Sequence, residues 1–359
     1  MKIRQPDALP AMVIPRGGII IKVIRRYPIY LYALERAVER VKMPELNEVR
    51  EELYRQQAGY LGEIASDKYV RRTRIPGIVF TDIQIEAAPG EFIQIDTLIL
   101  TQRAIWVIEA KKYKGALRYL HAPKRIERKE RDGSVMVFTC PIVQLESQMH
   151  ALKGWLDAQG IDLPVFGTVA FASTNRWEGL PEEAPIIPVR EIPAYLERAY
   201  RELDDRLTPE TFVQLAEKLG LQRNMIVWEP VCKRLGINAN RLKRGFLCPE
   251  CHSQLTRATE RTGHCKNCDQ NVKTDYGLLI LDWFLLIHPT LNNAQLRAFA
   301  KLKTKQAASR ILNRYELLII GASTGTAYTL NLYTDLDGLE IRKGKPGRER
   351  VEEVITHLR

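Results

Sequence analysis

The chain has 359 residues, room for two or more domains at roughly 100–200 residues each. Its 45% hydrophobic content is ordinary for a soluble protein that buries its cores, and the formal charge of +11 points to a polyanionic partner, most simply nucleic acid. Residues 241–359 hold 19 Lys and Arg against 12 Asp and Glu, so +7 of that charge lies in the last third. No secretory or membrane segment is expected, because Lys22, Arg25 and Arg26 interrupt the apolar run at Gly18-Ile19-Ile20-Ile21 long before the ~18 residues a span requires.

Residues 1–57 read as a helical N-terminal extension. Leu31, Leu34, Ala37, Val38 and Val41 mark an apolar face, Arg36, Glu39 and Arg40 the other, and Pro44 interrupts the pattern. No chemistry is visible there. From about Gly59 the texture becomes α/β. A helical stretch opening at Gly62-Glu63-Ile64 ends before Pro76, and strands are expected over 78–85, 92–100 and 104–110. Strict alternation puts Asp96 on the face of Gln94, opposite Ile95 and Thr97. Ile105-Trp106-Val107-Ile108 reads as a buried central strand. Residues 121–139 are charged, with a hairpin turn at Asp132-Gly133; a helix over about 142–158 and an apolar strand over 165–172 follow.

Asp96 ends one strand, and Glu109-Ala110-Lys111, thirteen residues on, ends the next. Two carboxylates at strand ends can share a hard cation. A lysine two residues beyond the second points to the same sheet face, where it can orient water or stabilise charge developing on a phosphate.

Residues 58–175 resemble the nuclease-related domain (NERD), a branch of the PD-(D/E)xK nuclease superfamily. The matching pieces are Gly62-Glu63, Gln94-Ile95-Asp96, Val107-Ile108-Glu109-Ala110-Lys111 with Tyr113 and Gly115, and Pro141 with Gln144. The resemblance implies an α/β fold with a restriction-endonuclease-like αβββαβ core. It also implies a metal-dependent nuclease in which Glu63, Asp96, Glu109 and Lys111 are catalytic or metal-binding and Gln144 completes the site. Asp96 and Glu109 would hold Mg²⁺ or Mn²⁺, Lys111 would position water, and DNA is the expected substrate ahead of RNA. Cys140 stands where the family usually has asparagine, and Thr97 where histidine is common.

Residues 176–240 read as a connecting segment without a catalytic pattern. In 241–275, Cys248-Pro249-Glu250-Cys251 and Cys265-Lys266-Asn267-Cys268 have the spacing of a closed four-thiolate Zn²⁺ ribbon. Clustered thiols in a chain with no visible signal peptide suit metal binding in a reducing cytoplasm. Arg241, Lys243, Arg244, Arg257 and Arg261 would let the ribbon touch phosphate. Residues 276–335 read as three helices and a hairpin, a mainly helical, winged-helix-like domain whose third helix would present Lys305, Gln306, Ser309, Arg310 and Asn313 to nucleic acid. Residues 336–359 form a basic tail, with Arg342 through Arg348 read as flexible. The competing expectation is a catalytically inactive nuclease fold that binds DNA or RNA through the ribbon and winged helix; an RNA-processing factor shares the same electrostatics.

Overall fold

The computed structural model describes residues 20–22, 25–130, 132–223, 228–257, 259, 261–332, 336–337 and 340–347. The chain runs through β1 (Ile20–Lys22), α1 (Ile29–Arg40), α2 (Leu46–Val70), β2 (Gly77–Ala88), β3 (Glu91–Leu100) and β4 (Ile105–Lys111). It continues through β5 (Gly115–His121), β6 (Lys124–Lys129), β7 (Val135–Thr139), α3 (Pro141–Ala158), β8 (Val165–Phe171), β9 (Asn175–Glu178), β10 (Ile186–Pro188), α4 (Ile192–Arg201) and α5 (Pro209–Gly220). After α6 (Val231–Arg234) come β11 (Thr256–Arg257), β12 (Thr262–Cys265), β13 (Gln270–Lys273), α7 (Tyr276–Leu286), β14 (Thr290–Leu291), α8 (Asn293–Phe299), α9 (Lys305–Leu312), β15 (Leu318–Ile320), β16 (Ala327–Thr329), β17 (Leu336–Asp337) and β18 (Glu340–Ile341).

These elements form two compact units, one from the described residues of Met1–Arg26 and Gln57–Ile226, the other from those of Tyr27–Gln56 and Val227–Arg359. The boundaries differ from those expected. Residues 1–57 are not one helical extension: β1 joins the first unit as a strand, and α1 belongs to the second. The expected connecting segment contributes β9, β10, α4 and α5 to the first unit, where Phe212, Leu215, Ala216 and Leu219 of α5 are buried in the core.

The first unit is built on a six-stranded sheet of order β1-β2-β3-β4-β8-β10. Neighbours β2-β3-β4 are antiparallel, while β1 pairs parallel with β2, β8 with β4 and β10 with β8. With α2 before them and α3 between β4 and β8, these strands complete the αβββαβ order. A second sheet, β7-β6-β5-β9, takes β6 and β7 from the stretch read only as a charged hairpin and adds β5 before it and β9 after α3 and β8. Gly133 makes the expected β6–β7 turn with φ +87°.

Strict alternation fails in the middle of β2 and β3. Phe80 and Ile83, three residues apart, share one core with Ile95 and Leu98, also three apart, while Val79 and Ile99 lie in the core on the other face. Each strand therefore changes phase by one residue. The change falls at Asp82 and Asp96, between the paired residues Thr81↔Thr97 and Ile83↔Ile95. Asp82 has φ +57°, a left-handed conformation costly for a residue with a Cβ. The alternation expected to set Ile95 and Thr97 on one face does not hold here.

The second unit carries a three-stranded ribbon, β11-β12-β13, and a three-stranded sheet of order β14-β16-β15. Its last part runs helix, strand, helix, helix, strand, strand, with β14 an addition to the expected three helices and hairpin. Asn292 and Gln295 cap α8 reciprocally, and the Thr304 hydroxyl accepts from Ala307 N at the start of α9. The expected flexible tract is tied down over its described part. Glu316 N donates to Arg342 O (3.0 Å), Gly344 N to Arg314 O (2.9 Å) and Ile319 N to Gly347 O (2.8 Å). Arg348 and the residues after it lie outside the described residues.

Asp282, on the apolar helix α7, is fully buried. Its Oδ1 accepts from Arg36 Nε (2.7 Å), and its Oδ2 from Arg36 Nη2 (2.9 Å) and Arg40 Nε (2.6 Å). Arg40 also donates to the carbonyls of Lys243 and Gly245, each at 2.9 Å, just before the cysteine ribbon. Removing one partner of a buried pair leaves the other charge uncompensated. Asp282→Ala should therefore cost about 3–5 kcal/mol, read as a lower urea midpoint for the second unit.

Candidate active site and zinc ribbon

Glu63 is brought to β4 by a close approach of backbones. A Cβ on Gly62 would lie 3.2 Å from Lys112 Cβ and 3.6 Å from Lys112 N, so glycine lets α2 lie against the end of β4. At the next position Glu63 accepts from Arg25 Nη1 at 2.8 Å. One turn on, Asp67 takes the other side of the same guanidinium, with Oδ2 2.9 Å from Nε and Oδ1 3.1 Å from Nη2.

Arg25 was not singled out by sequence, and it is the hub of the site. Strand β1 pairs Ile20 with Gly77 and Lys22 with Val79, so the same offset puts position 25 beside Asp82. Its Nη1 donates to Asp82 Oδ1 (3.3 Å), and Nη2 to Asp96 O and Thr97 Oγ1, both at 2.9 Å. Burial opposes its charge, but Asp67, Glu63 and Asp82 outweigh burial and hold the guanidinium protonated.

Glu109 is 1% exposed. Its Oε1 accepts from Lys111 Nζ and its Oε2 from Gln148 Nε2 at 2.6 Å. Lys111 Nζ also donates to Gln144 Oε1 at 3.0 Å. Burial alone would lower the Lys111 ammonium, but Glu109 and Asp96 outweigh it and hold it above its ordinary value. Asp96 Oδ2 accepts from Ala110 N at 3.2 Å. Burial, then the charges of Glu109 and Glu63, push its carboxyl well above the usual range, opposed by Lys111 and Arg25. Glu63 is pushed up to about 7, first by burial and then by Asp82, Asp67 and Glu109 against Arg25.

Each nuclease-site residue expected from sequence thus lies in one hydrogen-bonded or electrostatic neighbourhood. Glu109, Lys111 and Gln144 are directly connected; Glu63 and the Asp96 backbone meet through Arg25. Sequence reading missed Arg25, Asp67, Asp82 and Gln148. Two of these had a local signal, since Asp67 and Gln148 stand four residues after Glu63 and Gln144 on the same helix faces. Arg25 and Asp82 had none, because only the strand register joins them to the site.

The chemistry of this donor set fits a hard divalent cation. Burial first, and then neighbouring carboxylates (Glu109 and Glu63 for Asp96; Asp82, Asp67 and Glu109 for Glu63), oppose the ionisation of both groups, a repulsion that a cation relieves. Gln148 Oε1 is buried beside Glu109 without a hydrogen-bond partner, a further oxygen donor of the kind such ions take. The family model of the nuclease-related domain matches residues 58–172. That segment contains Glu63, Asp96, Glu109, Lys111 and Gln144; Arg25 lies outside it. No curated protein and no solved structure matches the chain. Among the described residues, no helix is long and apolar enough to cross a membrane.

The four ribbon cysteines also converge. The Sγ atoms of Cys248, Cys251, Cys265 and Cys268 all lie within 4.8 Å of one another, with Cys248–Cys268 at 3.9 Å and Cys251–Cys265 at 3.5 Å. These separations exceed a disulfide bond and suit the edges of a tetrahedron, about 3.8 Å for Zn–S bonds of ~2.3 Å. The set is compatible with zinc and is made by the loop before β11 and the turn between β12 and β13.

The residues expected to read nucleic acid lie on α9 and at its end. Lys305, Gln306, Arg310 and Asn313 are exposed. Ser309 differs, since its hydroxyl accepts from Asn293 Nδ2 at 2.9 Å and serves the α8–α9 packing. Near the ribbon, Arg241 pairs with Glu45 at 3.0 Å and Lys243 donates to the Glu39 and His252 carbonyls, so both are held within the second unit. The side chain of Arg257 lies outside the described residues.

Two measurements check this geometry. Cys251→Ser should lower the zinc content from one ion per chain, measured by elemental analysis. In EDTA, the raised carboxyl of Glu63 contributes stability present below its unfolded value of about 4.5 and lost as pH rises through about 7. Glu63→Gln should flatten that part of the stability profile.

Proposed function

We propose that the first unit is a metal-dependent nuclease hydrolysing phosphodiester bonds, with DNA the preferred substrate. The reading is carried by the connected group Glu109, Lys111, Gln144 and Gln148 beside Asp96 and Glu63, within the segment that matches the nuclease-related domain. Asp96 and Glu109 would hold Mg²⁺ or Mn²⁺, with Glu63 nearby for a water-mediated contact or a second ion. When bound, the metal supplies Lewis-acid stabilisation of charge on the reacting phosphate and leaving oxygen.

Lys111 keeps its proton, so it acts by orienting water and stabilising negative charge. Gln144 fixes the direction of that ammonium, and Gln148 holds the second Glu109 oxygen in place. Arg25 keeps Glu63, Asp67 and Asp82 in position and is itself too engaged to follow the substrate.

The second unit is proposed to bind nucleic acid. Its helix-strand-helix-helix-strand-strand order and β14-β16-β15 sheet support a winged-helix reading, in which the exposed residues Lys305, Gln306, Arg310 and Asn313 would face phosphate or base edges. Zinc would be structural, since four thiolates leave no open position.

The test is cleavage of supercoiled, linear and single-stranded DNA with Mg²⁺, Mn²⁺ or EDTA. Cleavage should require the metal, vanish in Asp96→Ala, and fall by at least two orders of magnitude in Lys111→Met, whose DNA affinity should stay within a few-fold of wild type. A fully active Lys111→Met protein would remove the role given to that lysine. DNA binding without cleavage under any condition would favour a binding protein on an inactive nuclease fold.

A further inference from the structure

Two arginines approach Asp82 from different parts of the chain, in opposite states. Arg25 spends its donors on Glu63, Asp67, Asp82, Asp96 O and Thr97. Arg223 follows α5, in a segment that sequence reading left without function and outside the nuclease-related match. It is brought to β2 by the hydrogen bond from Gln84 N to Gln222 O, at 2.8 Å.

The Arg223 side chain is half-buried, yet among the described residues it has no ion pair within 4.0 Å. Its one hydrogen bond runs from Nη2 to Thr81 Oγ1 at a long 3.4 Å. Its Nε is buried without a partner. Asp82 is close enough to favour its charge, but the Asp82 carboxylate takes its hydrogen bonds from Arg25 and Gln94. Burial, together with Arg26 and Arg25, therefore lowers the proton affinity of Arg223, the reverse of what happens to Arg25. A guanidinium in this state carries unspent donors in a planar fork, the geometry that matches phosphate oxygens.

We infer that Arg223 is a phosphate-contact residue that receives a backbone phosphate of nucleic acid bound beside Asp82. This deepens the nuclease reading and rests on it. The partner is a phosphodiester, which supplies acceptor oxygens to a guanidinium whose side chain, among the described residues, has only the long hydrogen bond to Thr81 Oγ1. Arg25 next to it sets the limit on what such a residue can be: a cation already saturated by carboxylates cannot follow an incoming anion.

The experiment uses the full chain, with Arg223→Gln and Arg223→Lys beside wild type, in EDTA so that no cleavage occurs. The probe is a short fluorescein-labelled DNA oligonucleotide followed by anisotropy across a salt series. Losing one phosphate contact should reduce the slope of log K against log salt by about 0.7–0.9 in Arg223→Gln and weaken binding several-fold. Arg223→Lys should keep most of the slope. A merely structural role would lower the unfolding midpoint without moving the slope. Arg223→Gln with wild-type slope and affinity overturns the inference, even if wild type cleaves DNA with Mn²⁺. A changed slope in a protein whose wild type never cleaves would retain Arg223 as a backbone contact and reject only the nuclease reading.

Discussion

Like charges gathered in a partly dry space must be balanced, and the candidate active site follows from that constraint. Glu63, Asp67, Asp82, Asp96 and Glu109 come together around Arg25 and Lys111, with Arg223 also near Asp82. Arg25 neutralises the helix and strand side of the group, while Lys111 lies against Glu109. Such a cluster tolerates ionisation only while those cations stay in place. Its remaining deficit of positive charge is the feature on which the proposed divalent-ion site rests. Arg25, which follows β1, therefore belongs to the charge balance of the proposed site, although it lies outside the matched segment.

The nuclease-like framework was legible in sequence because its signals are local. The apolar run of β4, the Glu109-x-Lys111 step and the two Cys-x-x-Cys pairs each depend on spacings of two or three residues. Arg25 was illegible because its role arises from parallel pairing with a strand more than fifty residues away. The phase change at Asp82 and Asp96 was equally hidden, since alternation is assumed when a strand is read and each strand alone gives no sign of breaking it. The β5–β9 pairing joins residues sixty apart, so what reads as a charged hairpin becomes half of a four-stranded sheet. Ser309 shows the same limit at smaller scale: helical spacing points it outward, and Asn293 of the neighbouring helix claims it.

In the second unit a different charge balance sets the framework. Asp282 would be a costly residue in a helix as apolar as α7, and two arginines of α1 make it a joint between helices. Arg40 then extends that joint to the backbone preceding the cysteine ribbon. The four cysteines of the ribbon converge in an arrangement compatible with zinc, so the second unit sets a thiol cluster beside its carboxylate-centred anchor.

The paired phase change in β2 and β3 has a consequence for how this hairpin can vary. Because both strands shift at the same rung, the outer and inner halves of the hairpin agree about which face is apolar only while the two irregular residues stay opposite each other. Removing one residue from a single strand would rotate half its side chains to the wrong face. Length variation in this pair is thus restricted to the Pro89-Gly90 end or to compensated changes on both strands. The same irregularity that re-aims two aspartates makes the hairpin an unforgiving stretch for insertions and deletions.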